Sequence, residues 1–364
     1  MLSLILLIMK LAARAAYVVL KLLPTANKVV LISRNNRTTS IDFQLLAEEL
    51  ARSHPNTRVV ILNHPLDGPL LSLGRFLSEM YHLATARAAV IDSYVPAVSI
   101  LDHKPELVVV QIWHALGAIK KFGRQILDKP EGSSSRLAKT MDMHRNYTYV
   151  TAGSELTIPT YAAAFGVNEA RVKPIGMPRV DYLLDRQQQK SNHQKVLAAL
   201  PELKDKKVIL YAPTFRKTRQ IEPVKLAEAL PADYKLLISQ HRLDKAQVQP
   251  SDRLVINRQF DVLELVAVAD AVVTDYSAVT FEAALVRKPL YFYAYDLDQY
   301  ESDRGLAMDY RRAMPGPVCQ DADQLVAAIK AQNYNLDRVA KFADDYVGVR
   351  DGSCTKRIID LLAL

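Results

Sequence analysis

Residues 270–287 read DAVVTDYSAVTFEAALVR, and their order decides the fold. A short apolar run rich in valine breaks at the polar turn Thr274-Asp275-Tyr276-Ser277, and a helix-forming run follows at once. A buried strand that feeds a helix through a brief polar turn is the repeating unit of a parallel α/β sheet.

The same unit recurs on both sides. KVILYAP from residue 207, YKLLISQH from 234 and PLYFYAYD from 289 belong with it in one series. An earlier series comprises KVVLIS (28–33), the helical DFQLLAEELARS, RVVILN (58–63), a helix over about 68–86, AAVIDS (88–93) and ELVVVQIWHA (106–115). The polar stretch 185–206 between the two series reads as an interdomain linker. Segment 128–147, with its Pro, Gly and serine run, reads as a long mobile loop. A chain of 364 residues accommodates two such domains. The expectation is an α/β protein of GT-B architecture, two doubly wound Rossmann-like domains facing across a cleft. The first domain is expected over 25–190, and the second, with its closing helices, over 191–364.

The amino end is different. LSLILLIM (2–9) and KLAARAAYVVLKLLP are apolar with spaced cations. At about 100° per residue, Ser3, Lys10, Arg14 and Lys21 fall within about 40° of one another, and the rest of the cylinder is apolar until Pro24. Three cations interrupt it too often for a membrane span, and a signal peptide would carry its charge before the apolar run. Residues 1–24 therefore read as an amphipathic helix in the membrane interface, with its cations level with the headgroups, or as a helix packed on the protein's own surface.

Composition narrows the partners. The net charge of +8 favours an anionic partner: nucleic acid, anionic lipid or a phosphorylated substrate. No basic stripe with interleaved aromatics supports nucleic acid. Two distant cysteines, Cys319 and Cys354, make no disulfide framework, which points to a reducing cytosol. No carboxylate cluster has metal-ligand spacing, so neither metal nor cofactor is called for, with Mg²⁺ left open.

Ligands of open α/β sheets bind beyond the carboxyl ends of strands. His114, at the end of the run QIWHALGAIKKFG, suits a general base, or caps a strand end; Lys120 and Lys121 follow it. Thr214 and Arg216 in YAPTFR offer a hydroxyl and a cation, or form a plain turn. His241 ends the corresponding strand of the second series. The turn before residue 279 makes an anion site at a helix start, where Ser277 donates a hydroxyl or serves as N-cap. Glu282 lies one and a half turns further on, placed to reach a ribose hydroxyl. The tyrosine-rich run Tyr291–Tyr300, followed by Arg304, reads as core or as a base-stacking surface.

Taken in order from about Val108 to about Pro317, WHALGAIKKFG, GMPRVD, YAPTFR, TDYSAVTFE, KPLYFYAYDLDQY and RGLAMDY resemble the CDP-glycerol glycerophosphotransferases of teichoic acid synthesis. IWHALGAIKKFG, YVTAGSE and Glu282 are similar to the glycerol-phosphate primase branch. The resemblance implies transfer of glycerol phosphate from CDP-glycerol to the ManNAc hydroxyl of ManNAc-GlcNAc-diphosphoundecaprenol, with release of CMP. A later-acting glycerol-phosphate or ribitol-phosphate transferase of the same family is the alternative. The implied setting is the cytoplasmic face of the cell membrane, peripherally bound to an anionic surface. The resemblance gives His114 as the base and His241 as the group that binds the pyrophosphate. It also gives Arg179 as a phosphate contact, with Pro213, Thr214, Ser277, Ala278 and Glu282 in the CDP-glycerol pocket. Lys120, Lys121, Arg216 and Arg304 are further candidate phosphate or acceptor contacts. The chain departs from the family pattern at Ala115, at Ser239-Gln240 and at Ala278, where a second serine is common.

Overall fold

The computed structural model describes residues 2–34, 38–63, 69–214, 223–239 and 249–364. The chain forms two compact units. Residues Met1–Ala115, Lys121–Asp181 and Gly348–Leu364 make the first, and Leu116–Lys120 with Tyr182–Val347 make the second. The division thus falls at 181/182 rather than 190/191, and the last residues return to the first unit instead of closing the second.

The first unit is built on six parallel strands: β1 Lys28–Ser33, β2 Arg58–Asn63, β3 Ala88–Ile91, β4 Val108–Gln111, β5 Tyr149–Thr151 and β6 Val172–Lys173. Their order is β2-β1-β3-β4-β5-β6. β1 is buried at every position, as a central parallel strand covered on both faces must be. On one face Val29, Leu31, Ala88, Val90 and Val110 pack against Phe43, Leu46 and Leu50 of helix Ile41–Ser53 and against Ile358 and Ile359 of helix Cys354–Asp360. The carboxylate of Asp181 seats that last helix, accepting hydrogen bonds from Cys354 N at 3.1 Å, Thr355 N at 2.8 Å and Thr355 Oγ1 at 2.7 Å.

The second sheet is also parallel: β7 Lys207–Ala212, β8 Tyr234–Ser239, β9 Leu254–Asn257, β10 Ala271–Thr274, β11 Leu290–Tyr293 and β12 Val318–Cys319. The order is β12-β11-β10-β7-β8-β9. Strand order reverses once in each sheet, between β1 and β3 in the first and between β7 and β10 in the second. Such a reversal opens a crevice at the strand ends.

Three expectations give way. The stretch read as a linker contains a 14-residue helix, Arg186–Ala199, in the second unit. Asp185 caps it by accepting from Gln187 N and Gln188 N, and it buries Asn192 and Val196. A single apolar anchor among polar residues gave no helical period to read. Segment 128–147 is packed: helix Ser135–Thr140 lies in it, and His144 and Tyr147 are buried beside Phe165.

The third correction concerns the amino-terminal helix, Leu2–Leu20. Lys10 and Arg14 face the protein, as in the reading of a helix packed on the protein's own surface. Lys10 Nζ donates to Thr140 O at 2.9 Å and pairs with Asp142 at 2.7 Å. Arg14 donates to Ile100 O at 2.7 Å and pairs with the same Asp142 at 3.0 Å. Tyr17 Oη donates to His103 Nδ1 at 2.7 Å, since His103 Nε2 donates to Val98 O. Apolar side chains cover the opposite side, with Ile8, Met9, Leu11, Val18 and Val19 exposed. Among the described residues no helix is long and apolar enough to cross a membrane.

Candidate active site

The first crevice gathers four residues. β4 ends at Gln111, three residues earlier than the apolar run suggests, because the Gln111 side chain accepts Trp113 N at 2.8 Å and Trp113 takes a left-handed φ of 59°. That backbone state is uncommon outside glycine, and packing holds it. The indole stacks on Phe122 at 5.0 Å between ring centroids and meets Phe165 edge-on. His114 follows and is exposed. Its Nδ1 lies 3.0 Å from the main-chain oxygen of Asp92. A carbonyl only accepts, so Nδ1 carries the proton and Nε2 keeps its lone pair.

Beneath it, Arg179 and Asp42 form a fork. Arg179 Nε and Nη2 reach Asp42 Oδ2 at 3.0 and 2.5 Å, Arg179 N donates to Oδ1 at 2.9 Å, and Nη1 donates to His114 O at 3.1 Å. Arg179 thus clamps the loop that bears the histidine. Such a planar, bidentate pair fixes orientation as lysine would not.

Asp92, at the end of β3, is 3% exposed, and its Oδ1 has no hydrogen-bond partner among the described residues. Burial pushes its carboxyl up to about 6, against the opposing pull of the Ser33 and Ser93 hydroxyls.

The second crevice is organised by another aspartate. Asp275 accepts from Thr214 N at 2.9 Å, from Thr214 Oγ1 at 2.7 Å and from Tyr276 N. The ends of β7 and β10 are thereby tied together, and Thr274 Oγ1 donates to Ala212 O at 2.8 Å to reinforce the join. Tyr310 Oη donates to Asp275 O at 2.8 Å, and Tyr276 stacks on Tyr300 at 4.0 Å. Ser277 is not the N-cap of helix Val279–Leu285; Ala278 holds that position, and no side chain caps it. Ser277 Oγ sits 3.5 Å from Val279 N, at the limit of a hydrogen bond, so the hydroxyl is not committed to a strong cap.

Sequence reading and structure meet unevenly here. His114 and Arg179 come together in the first unit. Pro213, Thr214, Ser277 and Ala278 come together in the second. Glu282 is buried at 2% on the helix that starts there. Lys120 bridges to Leu306, two residues beyond Arg304, and Ala307 N donates to Ile119 O at 2.8 Å. Lys121 lies in the first unit. His241 and Arg216 fall outside the described residues. Asp42, Asp92 and Asp275 join the site although no sequence motif singles them out. Asp92 and Asp275 directly follow buried strands, and that position was the one signal that marked them.

Residues 15–364 match the family model of CDP-glycerol:poly(glycerophosphate) glycerophosphotransferase. The chain is 32% identical over 360 residues to the teichoic acid ribitol-phosphate primase of Bacillus spizizenii, covering 94% of this chain and 92% of that protein. It is 26% identical over 325 residues to the teichoic acid glycerol-phosphate primase of Bacillus subtilis, covering 87% and 82%. Among solved structures, the wall teichoic acid polymerase TagF superposes with a TM-score of 0.80 at 23% identity, over 97% of this chain and 93% of that one. That likeness is one of fold.

Proposed function

The chain belongs to the CDP-glycerol:poly(glycerophosphate) glycerophosphotransferase family, and from that premise we propose that it transfers glycerol phosphate from CDP-glycerol to a lipid-linked acceptor sugar in teichoic acid synthesis. The observation that carries this reading is His114 itself, an exposed residue at a strand end whose Nδ1 is held by the Asp92 carbonyl, which assigns the role of base to Nε2. In the proposed step the acceptor oxygen attacks the glycerol-bearing phosphorus in line. Its proton passes to Nε2, the bond from phosphorus to the CMP oxygen breaks, and CMP leaves.

Phosphoryl transfer depends on positioning and on meeting charge more than on covalent chemistry. In this reading the Thr214–Asp275 tie shapes the nucleotide pocket, and Ser277 with the main-chain N–H groups at 278–279 receives the diphosphate. His241 and Arg216 are proposed to take the leaving-group charge, as their motif positions imply. Glu282 is assigned to the nucleotide side of the second unit.

The finer assignment is addition of the first glycerol phosphate, to ManNAc-GlcNAc-diphosphoundecaprenol, supported by the motifs shared with the primase branch. A second reading, a CDP-ribitol donor, is favoured by the 32% identity to a ribitol-phosphate primase. The proposed place of action is the inner membrane surface. The exposed apolar side of Leu2–Leu20 is its support, a row that a soluble protein rarely leaves bare.

Incubation with each CDP-polyol and the defined disaccharide lipid tests the assignment. One addition from CDP-glycerol supports the primase. Product only from CDP-ribitol transfers the assignment to the second reading, and CMP release from neither donor ends both.

A further inference from the structure

The second unit bears an open surface cavity, rimmed by the exposed Arg312, Arg338 and Lys341, that the proposed reaction does not use. Its volume is about 490 Å³, within the usual range for a small organic ligand. It lies between the segment Met308–Pro315 and helix Leu336–Tyr346. Arg312 enters its lining from one side and Arg338 from the other, with Lys341 beside them.

Charge pairing in the lining is incomplete. Of the two carboxylates present, Asp345 is taken by Lys341 at 2.9 Å, and Asp309 accepts Arg312 N as the cap of helix Tyr310–Ala313. Arg338 Nη2 donates to Met314 O at 2.9 Å. Among the described residues neither guanidinium has a carboxylate partner. Two such groups on separate elements around one cavity suit a phosphate, which takes planar forks bidentately. Phe342 and Tyr346 add an apolar wall for the body of a ligand.

The cavity wall also bears on the donor side. Tyr310, in the helix that carries Arg312, donates to Asp275 O at 2.8 Å and packs on Tyr276 at 5.2 Å. Phe342, on the helix that carries Arg338, stacks at 5.3 Å on Phe281 of the helix after Ser277. Both walls are thus fastened to the turn and helix assigned to the nucleotide phosphates.

We infer that this cavity is a second phosphate site, one that receives a phosphorylated polyol or sugar of the acceptor while the donor occupies the crevice at Thr214 and Ser277. The inference rests on the transferase reading for the identity of the ligand, but not for its chemistry. The test is therefore a binding measurement that needs no turnover. Calorimetry with sn-glycerol 3-phosphate, with CDP-glycerol present at saturation, is compared for the wild type and the double variant R312Q/R338Q.

The expected result is saturable binding in the wild type, weakened tenfold or more in the variant, with CDP-glycerol affinity unchanged within twofold. In turnover the variant should raise the acceptor KM by a similar factor and leave the donor KM alone. Absence of glycerol phosphate binding to the wild type, or equal binding by the variant, overturns the site. A third arm uses phosphatidylglycerol vesicles. Loss of vesicle binding in the variant without loss of glycerol phosphate binding makes the arginines a headgroup contact and also overturns it. Failure of catalysis with either CDP-polyol, alongside intact arginine-dependent binding, would count against the transferase reading alone.

Discussion

Nδ1 of His114 sits 3.0 Å from the main-chain oxygen of Asp92, so a strand-end carbonyl rather than a carboxylate sets the tautomer of the proposed base. A carbonyl fixes the ring without adding a negative charge to it.

Replacing His114 by alanine removes the base and leaves the carbonyl of residue 114 in place for Arg179. Turnover should fall by about 10²–10⁴-fold, the usual worth of a positioned general base. CDP-glycerol affinity should stay within about twofold, a negligible free-energy change at roughly 1.4 kcal/mol per decade. Steady-state kinetics with calorimetry reads both; unaltered turnover would remove His114 from the mechanism.

The Asp92 carboxyl gives a pH signature. Its folded value, about 6, lies above the ordinary aspartate value of 3.8. The folded state therefore holds the proton more tightly than the unfolded chain. Its stabilising contribution is complete below about pH 3.8 and is lost as pH rises through about 6. The loss is on the order of 3 kcal/mol at 1.36 kcal/mol per unit. Asp92→Asn stays neutral throughout, so its melting temperature relative to the wild type should climb between pH 4 and 7. A difference that stays flat across that range would show that the carboxyl titrates normally.

Gly117 is held to glycine by one ring. A β-carbon built there would lie 2.5 Å from Cε1 of Phe281, which is fully buried and stacked on Phe342. The ring has nowhere to retreat, so Gly117→Ala should cost about 1–3 kcal/mol, as overpacking of a dense core does. Phe281→Leu in the same chain should recover part of the loss. A double variant no more stable than Gly117→Ala would place the fault in the backbone instead.

Much of this architecture was legible before any coordinates. Runs such as KVVLIS and RVVILN became β1 and β2 residue for residue; β1 is buried throughout, as a continuous apolar run implies, whereas β2 lies at the sheet edge and buries only Leu62. The two- and three-residue strands β5, β6 and β12 are too short for a period. The limits of reading were sharper at the site. His114 and Thr214 stood out because they follow apolar runs. The Asp42–Arg179 fork joins residues 137 apart, and no local pattern announces such a pair. The motif GMPRVD therefore marks Arg179 but not its carboxylate partner. The amino-terminal helix misled for a similar reason. Its cations mark a face, but only the positions of Asp142 and Ile100 reveal whether that face meets lipid or protein.

That inversion makes a prediction about how the helix meets a membrane. With Lys10 and Arg14 bound to Asp142 and to main-chain oxygens, attachment through this helix should rest on apolar area, not on attraction to anionic headgroups. Exposed charges are screened over about 10 Å at 0.1 M salt, whereas apolar burial is not weakened that way. Vesicle binding should therefore survive an increase in salt. Val19→Glu, at a residue 66% exposed, should release the protein because it puts a charge where acyl chains would lie. Its melting temperature should not move, as Val19 lies outside the buried core. Lys10→Ala should do the reverse, lowering stability by leaving Asp142 short of a partner while binding persists. Co-sedimentation at low and high salt, set beside thermal melts, separates the cases. Binding that vanishes with salt and ignores Val19→Glu would return the cations to the headgroup level.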